Sequence, residues 1–327
     1  MFKRHWKKFA SVFALLVLTG SSFVAYTLYS QADAAVESST SGGTLVDLLT
    51  PEALDGEPTG AVNILVAGNS VDDAGHSGAE LTDSIMVAHI DLTTSSLTLI
   101  SVPRDMWVDY NGSYMKINAV YTLGGMDALQ STVESMLGIT INHRVLINYT
   151  AFKEMIDAVG GIDITIESSD SRGIYDPMIG FSIGNGEQHL DGTQALLLAR
   201  SRNDPTYDGR VAYGLPNGDF DRTAYQRKIA AALIEKVSSS STLTNTTKLK
   251  ALFESISGNV QSNFTVGQLR RLYDLSKEIT STESISIRGE EGSLLLANYT
   301  SYDGQSALIP SAGMDNYSAI QAYIMNK

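Results

Sequence analysis

Between Ala151 and Ile166 the sequence AFKEMIDAVGGIDITI changes its hydrophobic period within a few residues. Phe152, Met155, Ile156 and Val159 recur at helical spacing, and Gly160-Gly161 supplies the residues that end helices. Ile162, Ile164 and Ile166 then alternate with Asp163, Thr165 and Glu167. A helix that runs straight into a half-buried strand needs a sheet to pack on. The chain is therefore expected to be an α/β protein. Val62 to Ala67 (VNILVA) is a short apolar run ending at Gly68, the pattern of a buried strand. Ser84 to Ile90 and Leu97 to Val102 are strands joined by the turn-rich DLTTSS, which predicts a hairpin. Met126 to Leu137 is expected to be an amphipathic helix, Val145 to Asn148 a strand and Ser284 to Ile287 a further strand. Together these give an α/β fold, a mixed central sheet flanked by helices, over residues 61–327. The polar run Ser238 to Thr247 is not expected to divide it, because residues 248–327 hold too little core for a second domain.

The N-terminus has a different character. Residues 1–8 contain Lys3, Arg4, Lys7 and Lys8, and residues 9–30 (FASVFALLVLTGSSFVAYTLYS) carry no charge. A run of that length spans the hydrocarbon of a bilayer as one helix, and the basic flank places the N-terminus in the cytoplasm. The expected arrangement is a single-pass anchor in the plasma membrane, then a tether rich in small and acidic residues over 31–60, then an extracellular domain. The rival reading is a cleaved signal peptide, because Ala32-Asp33-Ala34 has the A-x-A form.

Charge restricts the partners. The formal net charge is −13, and the basic residues ahead of the apolar run make the rest more acidic still. Such a domain repels duplex nucleic acid, so no nucleic-acid partner is expected. There is no cysteine, which removes thiolate ligands, thiol nucleophiles and disulfides. The five histidines lack metal-ligand spacing. Ser70, Asp72 and His76 crowd one short loop without the elbow of a hydrolase nucleophile.

Against that acidic background, Arg200, Arg202, Arg210, Arg222 and Arg227 lie close together in sequence. Guanidinium forks suit phosphate oxygens. Asp191, with Gln194 three residues on, reads as a capping box opening a helix that ends at Arg200. A second helix is expected to begin at Asp219 or Asp221. That start puts Arg222 in a first turn where the macrodipole disfavours a cation, and an anion bound there would relieve the conflict. Gln226 falls on the same face. The same arginines are equally compatible with ion pairs to Asp204, Asp208, Asp219 and Asp221 on a solvated loop.

Six segments, in order, resemble the LytR-CpsA-Psr family of envelope proteins: LTDSIMVAHID, LTLISVPRDMWV, KINAVYTLGG, AFKEMIDAVGGIDITI, HLDGTQALLLARSR and DFDRTAYQ. The resemblance implies a metal-dependent phosphotransferase on the outer membrane face. Such enzymes move a glycan from a polyprenyl-pyrophosphate carrier to a peptidoglycan hydroxyl, and the lipid tail occupies an apolar tunnel. By this resemblance Arg104, Arg200, Arg202 and Arg222 contact the pyrophosphate, Gln226 orients it, and Asp83 holds magnesium or manganese. Asp83, Arg104, Arg200 and Arg222 are then the expected catalytic set. The chain departs from the family pattern at three residues, and its loop between Arg202 and Arg222 is also extended. Ser70 stands where a second metal carboxylate is usual, Leu81 where an arginine is common, and Tyr225 where the family has a second helix arginine. Asp72 or Asp73 is a candidate replacement for the lost ligand, and Asp105 a further candidate metal ligand. Two other readings stay open, a non-catalytic binder of polyprenyl glycolipids and a polyprenyl-pyrophosphate phosphatase.

Overall fold

The computed structural model describes residues 50–72, 80–203, 209–237, 259–290 and 293–326. The expected basic tail and anchor, most of the tether, the candidate ligand Asp73 and the 238–247 break lie outside them. No helix among the described residues is long and apolar enough to cross a membrane.

The centre is a six-stranded mixed sheet. In chain order its strands are β1 (Ala61–Gly68), β2 (Ser84–Asp91), β3 (Ser96–Ser101) and β4 (His143–Ile147). Two edge strands, Val260–Ser262 and Ser281–Ser286, complete the spatial order Val260–Ser262, β4, β1, β2, β3, Ser281–Ser286. The β1–β2 and β2–β3 pairs are antiparallel, whereas β1–β4 and β3 with Ser281–Ser286 are parallel. β1 is buried almost throughout, as a central strand covered on both faces must be.

Each face carries a core. One, built on Ile64, Ala88, Leu99 and Val145, is covered by α2 (Tyr149–Ala158), α3 (Gly192–Arg200) and α4 (Asp219–Val237). The other, built on Leu65, Val87 and Ile100, is covered by α1 (Val120–Leu137) and the C-terminal helix Ser318–Met325. The alternation of β1 side chains between the two sets follows from the two-residue period of a strand.

Several expectations shift. α1 begins before Met126, and its two helical parts are separated at Gly125, whose φ of 68° and ψ of −166° are not helical. Asn148 is not a strand residue. It caps α2, its side chain accepting from the Ala151 amide at 2.8 Å. The strand Ile162–Ile166 shows the expected alternating burial but pairs with Gly186–Leu190, apart from the central sheet. Gly160 and Gly161 both adopt positive φ, and a Cβ at Gly161 would strike the His189 ring. Residues 50–60, read as the end of a tether, pack on the domain. Leu54 is 1% exposed, and Glu57 takes a forked ion pair from Arg271.

Candidate active site

The parallel pair β1–β4 ends at Gly68 and Ile147, and the crevice beyond the carboxyl ends of parallel strands is where α/β sheets bind ligands. A cavity of about 210 Å³ opens there between the sheet and helices α2, α3 and α4. Its walls are apolar, with Val66, Met86, Leu99, Phe152, Met155 and Leu233 among them, and its polar groups include Asn69, Asp83, Arg200, Arg202, Arg222 and Gln226.

Each of those groups is held by local structure. The capping box at Asp191 forms as expected, and a Cβ on Gly192 would collide with the Lys153 carbonyl, so α3 lies tight against α2. Arg200 ends α3 with its guanidinium 5.1 Å from the centre of the Tyr149 ring. The main chain at Arg202 donates to the buried Asp176 carboxylate at 2.7 Å, which fixes the chain leaving the helix. Gln226 donates to the Ala199 carbonyl at 3.0 Å and so satisfies one of the carbonyls that a helix end leaves over.

Arg222, in the first turn of α4, is 3% exposed. It pairs with Asp219 and donates to the Asp83 carbonyl at 3.4 Å, while its Nε has no hydrogen-bond partner among the described residues. Burial, with Arg104 and Arg202 adding to it, pulls its pKa down to about 10 against the opposing effect of Asp219. A buried cation beside two others is a costly arrangement unless an anion completes it. Tyr149 is shifted the other way. Burial first, then Asp83, raises its phenol against Arg200, so it stays neutral.

Arg104 sits one step behind the lining. It is paired with the Asp83 carboxylate and lies 3.5 Å from Asp219, and these acids with Asp105 raise its pKa despite burial. The arginines at 104, 200, 202 and 222 and the acid at 83 are thus brought to one place. Asp105 joins them through Arg104, 3.9 Å from its Nε, and is also held by Lys116 at 2.8 Å. Asp72 does not join them: it accepts from the Tyr149 and Thr150 amides at 3.1 and 2.5 Å, serving the N-terminus of α2. Tyr225 turns away as well, its hydroxyl accepting from the Glu167 amide at 3.1 Å.

Sequence reasoning passed over Asn69 and Tyr149. Asn69 is 2% exposed, and its Oδ1 has no hydrogen-bond partner among the described residues. Asn69 follows Gly68 and Asp83 precedes Ser84, the last pair of the β1–β2 ladder, and both line the cavity. The described residues hold no group of three histidine or acidic ligands. Magnesium, however, takes few protein oxygens when substrate phosphates provide others, and Asp83 with the unsatisfied Asn69 carbonyl oxygen is a donor set of that hard-oxygen kind. Ser70, the nearby departure, is fully buried and hydrogen-bonded to Tyr149. The sequence signal for both residues was position, since each directly follows, or lies one residue beyond, the end of a parallel strand.

The LytR_cpsA_psr family model matches residues 22–312. The chain belongs to this family. It is 32% identical over 295 residues to the polyisoprenyl-teichoic acid–peptidoglycan teichoic acid transferase TagV of Bacillus subtilis (strain 168), covering 87% of this chain and 71% of that protein. It is 33% identical over 236 residues to the enzyme of the same activity named TagU from Bacillus cereus (strain AH820), covering 70% of this chain and 69% of that one. The crystal structure of B. subtilis TagV superposes with a TM-score of 0.59 at 27% identity, over 81% of this chain and 96% of that one. TagT bound to LI-WTA superposes with a TM-score of 0.62 at 20% identity, over 84% and 93%, a likeness of fold. The mixed α/β sheet of this chain is thus the architecture of solved members of the LytR_cpsA_psr family.

Proposed function

We propose that this LytR_cpsA_psr protein transfers a glycan polymer from a polyprenyl-pyrophosphate carrier to a hydroxyl of peptidoglycan. The single observation that carries the reading is the convergence of Arg200, Arg202 and Arg222 with Asp83 at one apolar cavity. A polyprenyl pyrophosphate has the same two parts, a hydrocarbon chain joined to a dense anion. The relatives TagV and TagU are named for a polyisoprenyl-linked teichoic acid and for peptidoglycan.

In the proposed step the acceptor oxygen attacks the phosphorus that bears the glycan. A new phosphodiester forms, the anhydride P–O bond breaks, and polyprenyl phosphate leaves with the hydroxyl proton. Phosphoryl transfer of this kind needs positioning and charge neutralisation more than covalent help from the protein. Arg200, Arg202 and Arg222 neutralise the pyrophosphate, Arg104 fixes Asp83, and Gln226 holds the end of α3 in place. Asp83 and Asn69 would hold the magnesium or manganese ion, which when bound supplies further positive charge to the phosphate oxygens. The uncharged segment 9–30 would anchor the domain at the outer face of the plasma membrane, where membrane lipid presents the carrier.

The test is a reconstitution of the full chain with a polyprenyl-pyrophosphoryl glycan, magnesium and uncrosslinked peptidoglycan strands. Release of polyprenyl phosphate coupled to labelling of the strands is expected, with loss of both in the Arg200→Ala, Arg222→Ala double variant. Release without labelling would make the protein a phosphatase, and lipid binding without release would make it a binder.

A further inference from the structure

A second cavity, of about 400 Å³, lies beside the first, and the two share Asn69 and Asn148 in their walls. Its character is the opposite. Glu80, Tyr121, Thr122, Asn148 and Gln261 line it, and no lysine or arginine is among its described lining residues. A phosphate-bearing polymer meets one carboxylate and no counter-charge there. A neutral saccharide meets amide, hydroxyl and phenol groups that match its hydroxyls, and a tyrosine ring on which a sugar face can lie.

The walls are set in advance. Asn148 donates to Asn259 Oδ1 at 3.0 Å while capping α2, and Thr122 donates to the Glu80 carbonyl at 3.1 Å. The break in α1 belongs to this cavity, because Gly125 lines it. A Cβ built on Gly125 meets nothing within 4 Å, so close packing is not what interrupts the helix there. The interruption instead shapes one side of the cleft, at the expense of helical hydrogen bonds.

We propose that this polar cleft is the acceptor subsite, taking a neutral, hydroxyl-rich saccharide and delivering one of its hydroxyls past Asn69 and Asn148 to the pyrophosphate. The proposal rests on the transferase reading. It adds where the acceptor lies, and why lipid and acceptor do not compete: one cavity is apolar with a cationic rim, the other is polar and free of cations among its described lining residues. The partition between them is Asn69 and Asn148, with Asp83 on the first cavity's side, which is where the two reactants must meet.

The experiment blocks the cleft without touching the cationic site. Gln261 is exposed on the edge strand Val260–Ser262 and Thr122 is exposed in the first turn of α1, so Gln261→Trp and Thr122→Trp fill space without disturbing the core. Gln261→Ala removes one hydrogen-bonding group only. With the full chain in detergent, binding of soluble uncrosslinked peptidoglycan strands is measured directly. Acceptor KM, donor KM and acceptor-independent release of polyprenyl phosphate are measured beside it. In each tryptophan variant strand affinity is expected to fall, and acceptor KM to rise, by about tenfold or more, and by about threefold in Gln261→Ala. Donor KM and acceptor-independent release stay within about twofold of wild type. Unchanged strand affinity in both tryptophan variants, or a donor KM that moves with the acceptor KM, overturns the proposal. Strand binding that the variants abolish in a wild-type protein that never turns over the donor supports the cleft and rejects the transferase reading instead.

Discussion

The Arg222 guanidinium donates to the Asp83 main-chain oxygen at 3.4 Å, across 139 residues of sequence. The contact ties the first turn of α4 to the start of β2. It places a buried cation beside an acid that is already paired with Arg104. Asp83 and Asp219 offset Arg104 and Arg222, so the positive charge that an incoming diphosphate would neutralise is completed by Arg200 and Arg202 at the same cavity, and the site is sensitive to both pH and substitution.

Arg222 is held down to about 10, below the ordinary guanidinium range. A bound anion raises it again, so above about 10 binding must take up a proton. Affinity for inorganic pyrophosphate, measured by calorimetry without metal, is therefore expected to be full below pH 10 and to fall as the pH rises through it. Arg222→Gln should bind more weakly throughout, by about tenfold or more, and lose that inflection.

Ala230 lines the apolar cavity from α4, about two helical turns beyond Arg222. Ala230→Phe should fill the cavity and lower affinity for polyprenyl phosphate by about tenfold, while inorganic pyrophosphate binds within about twofold of wild type. Equal loss for both ligands would mean that the hydrocarbon chain goes elsewhere.

Asp72 serves the α2 N-terminus through the Tyr149 and Thr150 amides. Asp72→Ala should cost about 1 kcal/mol, the usual worth of a helix cap, seen as a fall of a few degrees in Tm. Manganese affinity in the presence of pyrophosphate, followed by paramagnetic resonance, should not change. In Asp83→Asn it should drop by about tenfold or more.

Tyr225 occupies the place of a family arginine, yet its hydroxyl accepts from the Glu167 amide at 3.1 Å and its ring is buried. Tyr225→Phe is expected to lose about 1 kcal/mol of stability in denaturant titration, with pyrophosphate affinity unchanged.

Much of this was legible along the chain because it depends on near neighbours. The switch of period at Gly160-Gly161, the capping box at Asp191 and Gln194, and the start of α4 at Asp219 are set by residues a few positions apart, and the structure shows each of them. The break in α1 was not legible, because helical spacing alone does not show that Gly125 faces an open cleft. Nor was the membership of Ile162–Ile166 in a separate pair, since alternation reports one buried face without naming the partner strand.

The sequence by itself determined the residue types of the site and the family they belong to. Arginines at 104, 200, 202 and 222 and the acid at 83 were marked by their motifs. Only the tertiary structure decided which candidates meet. Asp72 and Asp105 have the right chemistry, but one is spent on a helix end and the other is shared between Lys116 and Arg104. Asn69, with no motif of its own, comes to line the same cavity as Asp83 because β1 and β2 end there side by side, at the Gly68↔Ser84 pair. Side-chain chemistry is local and can be read in order, whereas a shared site is a matter of distance, and distance between remote residues is set by how sheet and helices pack.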